Sequence, residues 1–194
     1  ASLDKIEHIS YIRFGTRVPV TFPDRILMAK NLLNVLKKFS RSDRRIFVTT
    51  HFNHPNEITD KSIEAVTALL NAGVLINNQT VLMKGVNDNP LILANLLNKL
   101  VSIGVNPYYV FQCRPVKSVK HHFQIPIIDG IKVVEDAKKL MSGYAKRFKF
   151  IMSHKTGKIE IIGLKDDKLY FKYHQAKDPE NAGLFFTKPV DNTA

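Results

Sequence analysis

The sequence predicts an α/β protein in which parallel strands alternate with crossover helices, and three observations predict it. Four strand-like segments, Ile9 to Phe14, Arg45 to Thr50, Val74 to Met83 and Pro107 to Cys113, recur about every thirty residues. Helical periodicity fills each gap. From Lys146 onward the texture changes to short alternating runs, Phe148 to Ile151, Lys158 to Ile162 and Leu169 to Tyr173, which read as a β-rich extension. A parallel pair needs a long crossover between its strands, so gaps of this length favour right-handed βαβ units over hairpins.

After the first strand, Ile26, Leu27, Leu32, Leu33, Val35 and Leu36 form an apolar face at helical spacing, with Pro23 near the start where a missing N–H costs least. After the second, Ile63, Val66, Leu69 and Leu70 repeat the pattern, and Gly73 stands where a left-handed C-terminal residue is wanted. The third helix has Asn89 to cap it, Pro90 in its first turn, Leu93, Leu96, Leu97 and Leu100 as a buried stripe, and Gly104 beyond its end. A fourth runs from about Gly130 to Met141. Four units cannot close an eight-stranded barrel, so further barrel is expected upstream. The reading divides the chain into a partial barrel over residues 1–145 and an extension over 146–194, whose last dozen residues are expected to be a loose tail.

With 194 residues, 44% of them hydrophobic, the chain can bury one sizeable core. Its single cysteine, Cys113, excludes an internal disulfide framework and argues for a reducing compartment, the cytoplasm by default. No stretch reads as a membrane span. The net charge of +12 invites a nucleic-acid reading, but the lysines are scattered and are not interleaved with a stacking platform of aromatics, so a solvated surface is the better explanation.

Ligands of parallel α/β folds bind beyond the carboxyl ends of the strands. Polar residues cluster at those places: Arg13 to Arg17, His51 to His54, Asn78 to Thr80 with Asn87 and Asp88, and Gln112 to Arg114. Taken singly, each cluster also fits ordinary solvated loops. Two readings from the residues alone stand beside catalysis by a cofactor: a metal-dependent hydrolase using His51, His54 and Asp88, and a noncatalytic basic binding module.

Taken together, the clusters resemble the lysine 2,3-aminomutase group of radical S-adenosylmethionine enzymes. The matching words are Ile12-Arg13-Phe14-Gly15-Thr16-Arg17-Val18-Pro19, Thr50-His51-Phe52-Asn53-His54-Pro55, Asn78-Gln79-Thr80-Val81-Leu82, Lys84-Gly85-Val86-Asn87-Asp88, Pro107 to Cys113, His122-Phe123 and Ser142-Gly143-Tyr144. The resemblance implies an incomplete TIM-like barrel of six βα units, of which this chain supplies the last four. It implies an isomerase that shifts an amino group between adjacent carbons of a small amino acid, as a homo-oligomer when complete, with S-adenosylmethionine, pyridoxal 5'-phosphate and a [4Fe–4S] cluster as cofactors. The cluster ligands would be three cysteines in an upstream half of the barrel. One cysteine cannot replace them, so this polypeptide is expected to be inactive alone.

Within the resemblance, His51 matches the histidine beside S-adenosylmethionine and Gln79 the glutamine near pyridoxal phosphate. Lys158, in Thr156-Gly157-Lys158, is the candidate for the lysine that carries pyridoxal phosphate, with Lys155 as its rival. The aspartate and glycine run that precede the family's lysine are missing here. Arg114 stands where lysine-specific members have an acidic residue, and a guanidinium there disfavours a substrate ammonium and favours a carboxylate. Asn89 replaces a zinc-binding cysteine of the family, so no structural metal is expected.

Overall fold

The computed structural model describes residues 3–117 and 120–190. Eight strands form one sheet in sequence order: β1 Tyr11–Gly15, β2 Arg45–Thr50, β3 Leu75–Leu82, β4 Asn106–Gln112, β5 Lys149–His154, β6 Gly157–Lys165, β7 Lys168–Ala176 and β8 Phe185–Pro189. The helices are α1 Val18–Thr21, α2 Asp24–Leu27, α3 Lys30–Phe39, α4 Asp60–Asn71, α5 Pro90–Ser102, α6 Lys120–Phe123 and α7 Ile127–Lys139. The result is a mixed α/β half-barrel. Strands β1 to β5 run parallel and β5 to β8 antiparallel.

Two features differ from the sequence reading. The parallel run has five strands instead of four, because α7 is a full crossover and returns the chain beside β4, with Val110 opposite Phe150. The β-rich extension therefore begins by extending the barrel sheet, and strand direction reverses only at the turn between His154 and Gly157. The tail, expected to be loose, contains β8, which pairs with β7 and stacks Phe186 on Phe171 at 5.3 Å. Residues 191–194 lie outside the described part.

Alternation along each strand sorts side chains onto two faces. In β2, Ile46, Val48 and Thr50 turn toward the helices and are buried; in β3 the same holds for Ile76, Asn78, Thr80 and Leu82. Their partners are Val66 and Leu69 of α4 and Leu93, Leu96, Leu97 and Leu100 of α5, each no more than 3% exposed. The caps are as the sequence suggests. Asn89 accepts from the Leu91 N–H, and Gly73 and Gly104 take positive φ after α4 and α5. The first apolar helical face is less uniform than its spacing suggests. It breaks into α2 and α3, burying Ile26 and Leu36 while Leu32 and Val35 stay exposed.

The helix side also contains buried amides, and these fix the loops above the sheet. Asn78 accepts from Thr50 Oγ1 and the Phe52 N–H and donates to the Phe52 carbonyl and Thr80 Oγ1, all within 2.8–3.1 Å. Asn87 accepts from the Met83 N–H and donates to the carbonyls of Asn53 and Val81, while Asn53 accepts from the Val81 N–H. Each buried polar group thereby holds a backbone group that would otherwise be orphaned. Asn53, Asn78, Thr80 and Asn87 are structural in this sense.

Candidate functional site

The face of the sheet turned away from the helices is concave, and its rim at the carboxyl ends of the parallel strands carries the polar side chains left over. Two adjoining clefts of about 320 and 360 Å³ share His51 and Gln79. The first is completed by Arg13, Thr16, Arg17 and Thr49, the second by Phe111, Cys113, Arg114 and Ser153. The resemblance named His51, Gln79 and Arg114, and the fold brings all three to one cleft, His51 and Arg114 just past β2 and β4 and Gln79 within β3.

His51 follows β2 and its Nε2 is buried without a hydrogen-bond partner among the described residues. Burial, and secondarily the nearby Arg17 guanidinium, push its pKa below the ordinary imidazole value, while Glu57 acts in the opposite sense. Glu57 was not singled out from sequence. Its carboxylate receives Arg17 Nη2 at 2.6 Å and the backbone N–H groups of Asn53 and His54 at 2.5 and 3.2 Å, clipping the loop after β1 to the turn after His51. A glutamate two residues after a proline signals a helical first turn, but nothing in its spacing announces the arginine forty residues upstream. The side chain of Gln79 makes no hydrogen bond among the described residues, in contrast to its neighbour Asn78.

Lys158 does not line either cleft. It lies on β6 opposite Ser153, which does, and its Nζ stands 5.0 Å from the centre of the Tyr109 ring. Tyr109 in turn is the strand partner of Gln79. Lys155, in the turn before β6, lines a third cleft of about 400 Å³ with Arg114 and His154. The metal reading finds no matching geometry. His54 accepts from the Asn56 N–H as the cap of a short 3₁₀ turn, Asp88 accepts from the Gly85 N–H, and no group of three or more His, Cys, Asp or Glu among the described residues could hold an ion.

No protein-family model matches the chain. Curated sequences do. A protein of Aquifex aeolicus named "Putative L-lysine 2,3-aminomutase" is 40% identical over 185 residues, 95% of this chain and 49% of its own length. The L-lysine 2,3-aminomutase of Clostridium subterminale is 43% identical over 144 residues, 74% of this chain and 33% of its own. This chain is a lysine 2,3-aminomutase-like sequence. It spans about half the length of the first relative and a third of the second, over their carboxyl-terminal part. The glutamate 2,3-aminomutase of Clostridioides difficile is 41% identical over 145 residues, 75% of this chain and 33% of its own. Among solved structures, a radical SAM methyltransferase from Sphaerobacter thermophilus aligns with 63% of this chain and 38% of its own at a TM-score of 0.43 and 13% identity, a likeness too slight to argue from. No helix is long and apolar enough to cross a membrane among the described residues.

Proposed function

We propose that this chain forms the substrate and cofactor side of a radical aminomutase that uses S-adenosylmethionine and pyridoxal phosphate to shift an amino group between adjacent carbons of an amino acid. The observation that carries the reading is the convergence of His51, Gln79 and Arg114 on one cleft, where His51 Nε2 is buried with no hydrogen-bond partner among the described residues. The residues fit these guests. A buried Nε2 without a partner suits a hydrogen bond from or to a nucleoside, and a free amide beside it can donate to phosphate or carboxylate oxygens. Lys158 on the concave face is the amine for the pyridoxal carbonyl. When bound, S-adenosylmethionine with its cluster supplies the radical and pyridoxal phosphate the π system through which nitrogen migrates.

Arg114 is exposed at the cleft edge and carries a fixed positive charge. It would repel a substrate ammonium and grip a carboxylate by a charge-assisted pair, so an acidic amino acid suits the site better than lysine. The resemblance to a glutamate 2,3-aminomutase is compatible with that choice.

Equilibrium titration of the chain with S-adenosylmethionine tests the core of the proposal. Affinity is expected to fall about tenfold in His51→Ala, the loss of roughly one good hydrogen bond, with the far-ultraviolet circular dichroism unchanged. The same affinity in the variant would remove His51 from the site.

A further inference from the structure

Strands β4 and β7 are separated by β5 and β6, so along a flat sheet their backbones would lie roughly 14 Å apart. Yet Tyr109 Oη of β4 and His174 Nε2 of β7 are 2.5 Å apart. The sheet therefore curls enough to bring these two side chains together, with Lys158 on β6 between their strands.

The Tyr109 ring is immobilised from several sides. Its hydroxyl is shared between His174 and the Tyr108 hydroxyl, the latter at 3.0 Å. The rings of Tyr108, Phe111 and His174 stand 3.9, 5.4 and 5.4 Å from it, centre to centre, and the residue is 1% exposed. Burial, with Lys149 as a further cause, holds the His174 pKa below its ordinary value, while Glu160 acts in the opposite sense. Lys149 itself is taken up by Glu160 at 2.6 Å. That leaves the ring to receive Lys158, at the distance of a cation–π contact.

We infer that Tyr109 is a positioning residue for Lys158, and that His174 reaches across the sheet to fix the ring for that purpose. The consequence for chemistry rests on the reading of Lys158 as the lysine that takes pyridoxal phosphate. A lysine side chain has four rotatable bonds, and ordering it costs entropy that a fixed aromatic seat offsets. The amine is thereby kept against Tyr109, whose strand partner is Gln79, and one strand from Ser153, instead of sweeping through solvent.

The full chain with selectively ¹³C-labelled lysine gives a direct readout, the Lys158 methylene next to Nζ being assigned by its loss in Lys158→Arg. In the parent this resonance is expected upfield, shifted by the ring current of Tyr109. Tyr109→Leu should return it to the position of an exposed lysine, and His174→Gln, which keeps the ring but removes its tether, should return it part of the way. An unshifted resonance in the parent overturns the inference. Borohydride trapping of added pyridoxal phosphate, followed by peptide mapping, tests the purpose. Label at Lys158, which must leave the ring and lose its proton before it attacks the aldehyde, should change by about threefold or more in Tyr109→Leu, the size of a cation–π contact, while label at Lys155 stays constant as an internal control. Equal labelling of Lys158 in parent and variant refutes the positioning role. Absence of label from a Lys158 whose resonance is shifted supports the seat and refutes the cofactor reading. Should Tyr109→Leu fail to fold, the same comparisons are made on His174→Gln.

Discussion

Asn78 and Gln79 are adjacent in β3 and carry the same amide, yet the two faces of the strand treat them oppositely. On the helix side Asn78 is 1% exposed and fully engaged with Thr50, Phe52 and Thr80. On the concave side Gln79 borders both clefts. The same contrast holds in β2 between Thr50, which donates to Asn78, and Thr49, whose buried hydroxyl has no partner among the described residues. Polar groups on one face build the scaffold; those on the other are left available. A half-barrel can afford this asymmetry because its helices supply the apolar burial, so the concave face need not contribute much to stability.

Substitutions on the two faces would break or sharpen that contrast. The largest effect is expected at the amides. Asn78→Leu strands the Phe52 N–H and takes one partner each from the Phe52 carbonyl and the Thr50 and Thr80 hydroxyls, and should cost about 3 kcal/mol in urea unfolding, whereas Gln79→Leu should change stability by less than about 0.5 kcal/mol. Similar losses for both would mean that Gln79 is structural after all. Smaller is the threonine pair. Thr80→Val removes a hydroxyl that donates to the Phe52 carbonyl and should cost about 1–2 kcal/mol, while Thr49→Val removes an unpaired one and should be neutral or slightly stabilising.

The smallest effect concerns protons. Because the folded state depresses the His51 pKa, the unfolded chain takes up a proton first as the pH falls. The stability that His51 contributes is therefore present above its ordinary value near 6.5 and is lost as the pH drops through the lower, folded value. Nuclear magnetic resonance titration should find the His51 midpoint moved up by Arg17→Gln, which removes a repelling charge, and moved further down by Glu57→Gln, which removes an attracting one. A midpoint indifferent to both would show that the Glu57 clip is mechanical only.

The barrel elements were legible because their signals are local: apolar periodicity, Asn89 before Pro90, and glycines just past α4 and α5. Lys149–His154 was misgrouped because its six residues look alike whether the strand joins a crossover or a hairpin, and only the length of α7 decides. For the site, the resemblance singled out His51, Gln79 and Arg114, all three of which line one cleft. It could not reveal the Arg17–Glu57 contact or the Tyr109–His174 contact, which span forty and sixty-five residues and depend on the sheet's curl. The β8 pairing was missed for a similar reason, since its sequence is short and only the stack of Phe186 on Phe171 gives it a place.

Gly157 stands immediately before Lys158, where a small residue suggests room for a cofactor. Its φ of 143° and its closeness to β7 give another account: any side chain there would overlap the Gln175 carbonyl oxygen. Every descendant that keeps the pairing of β6 with β7 is therefore bound to keep this glycine, whether or not the next residue reacts with anything. Were many such sequences aligned, an unchanging 157 would be a fossil of the sheet, and the history of the chemistry would have to be read from 158 alone.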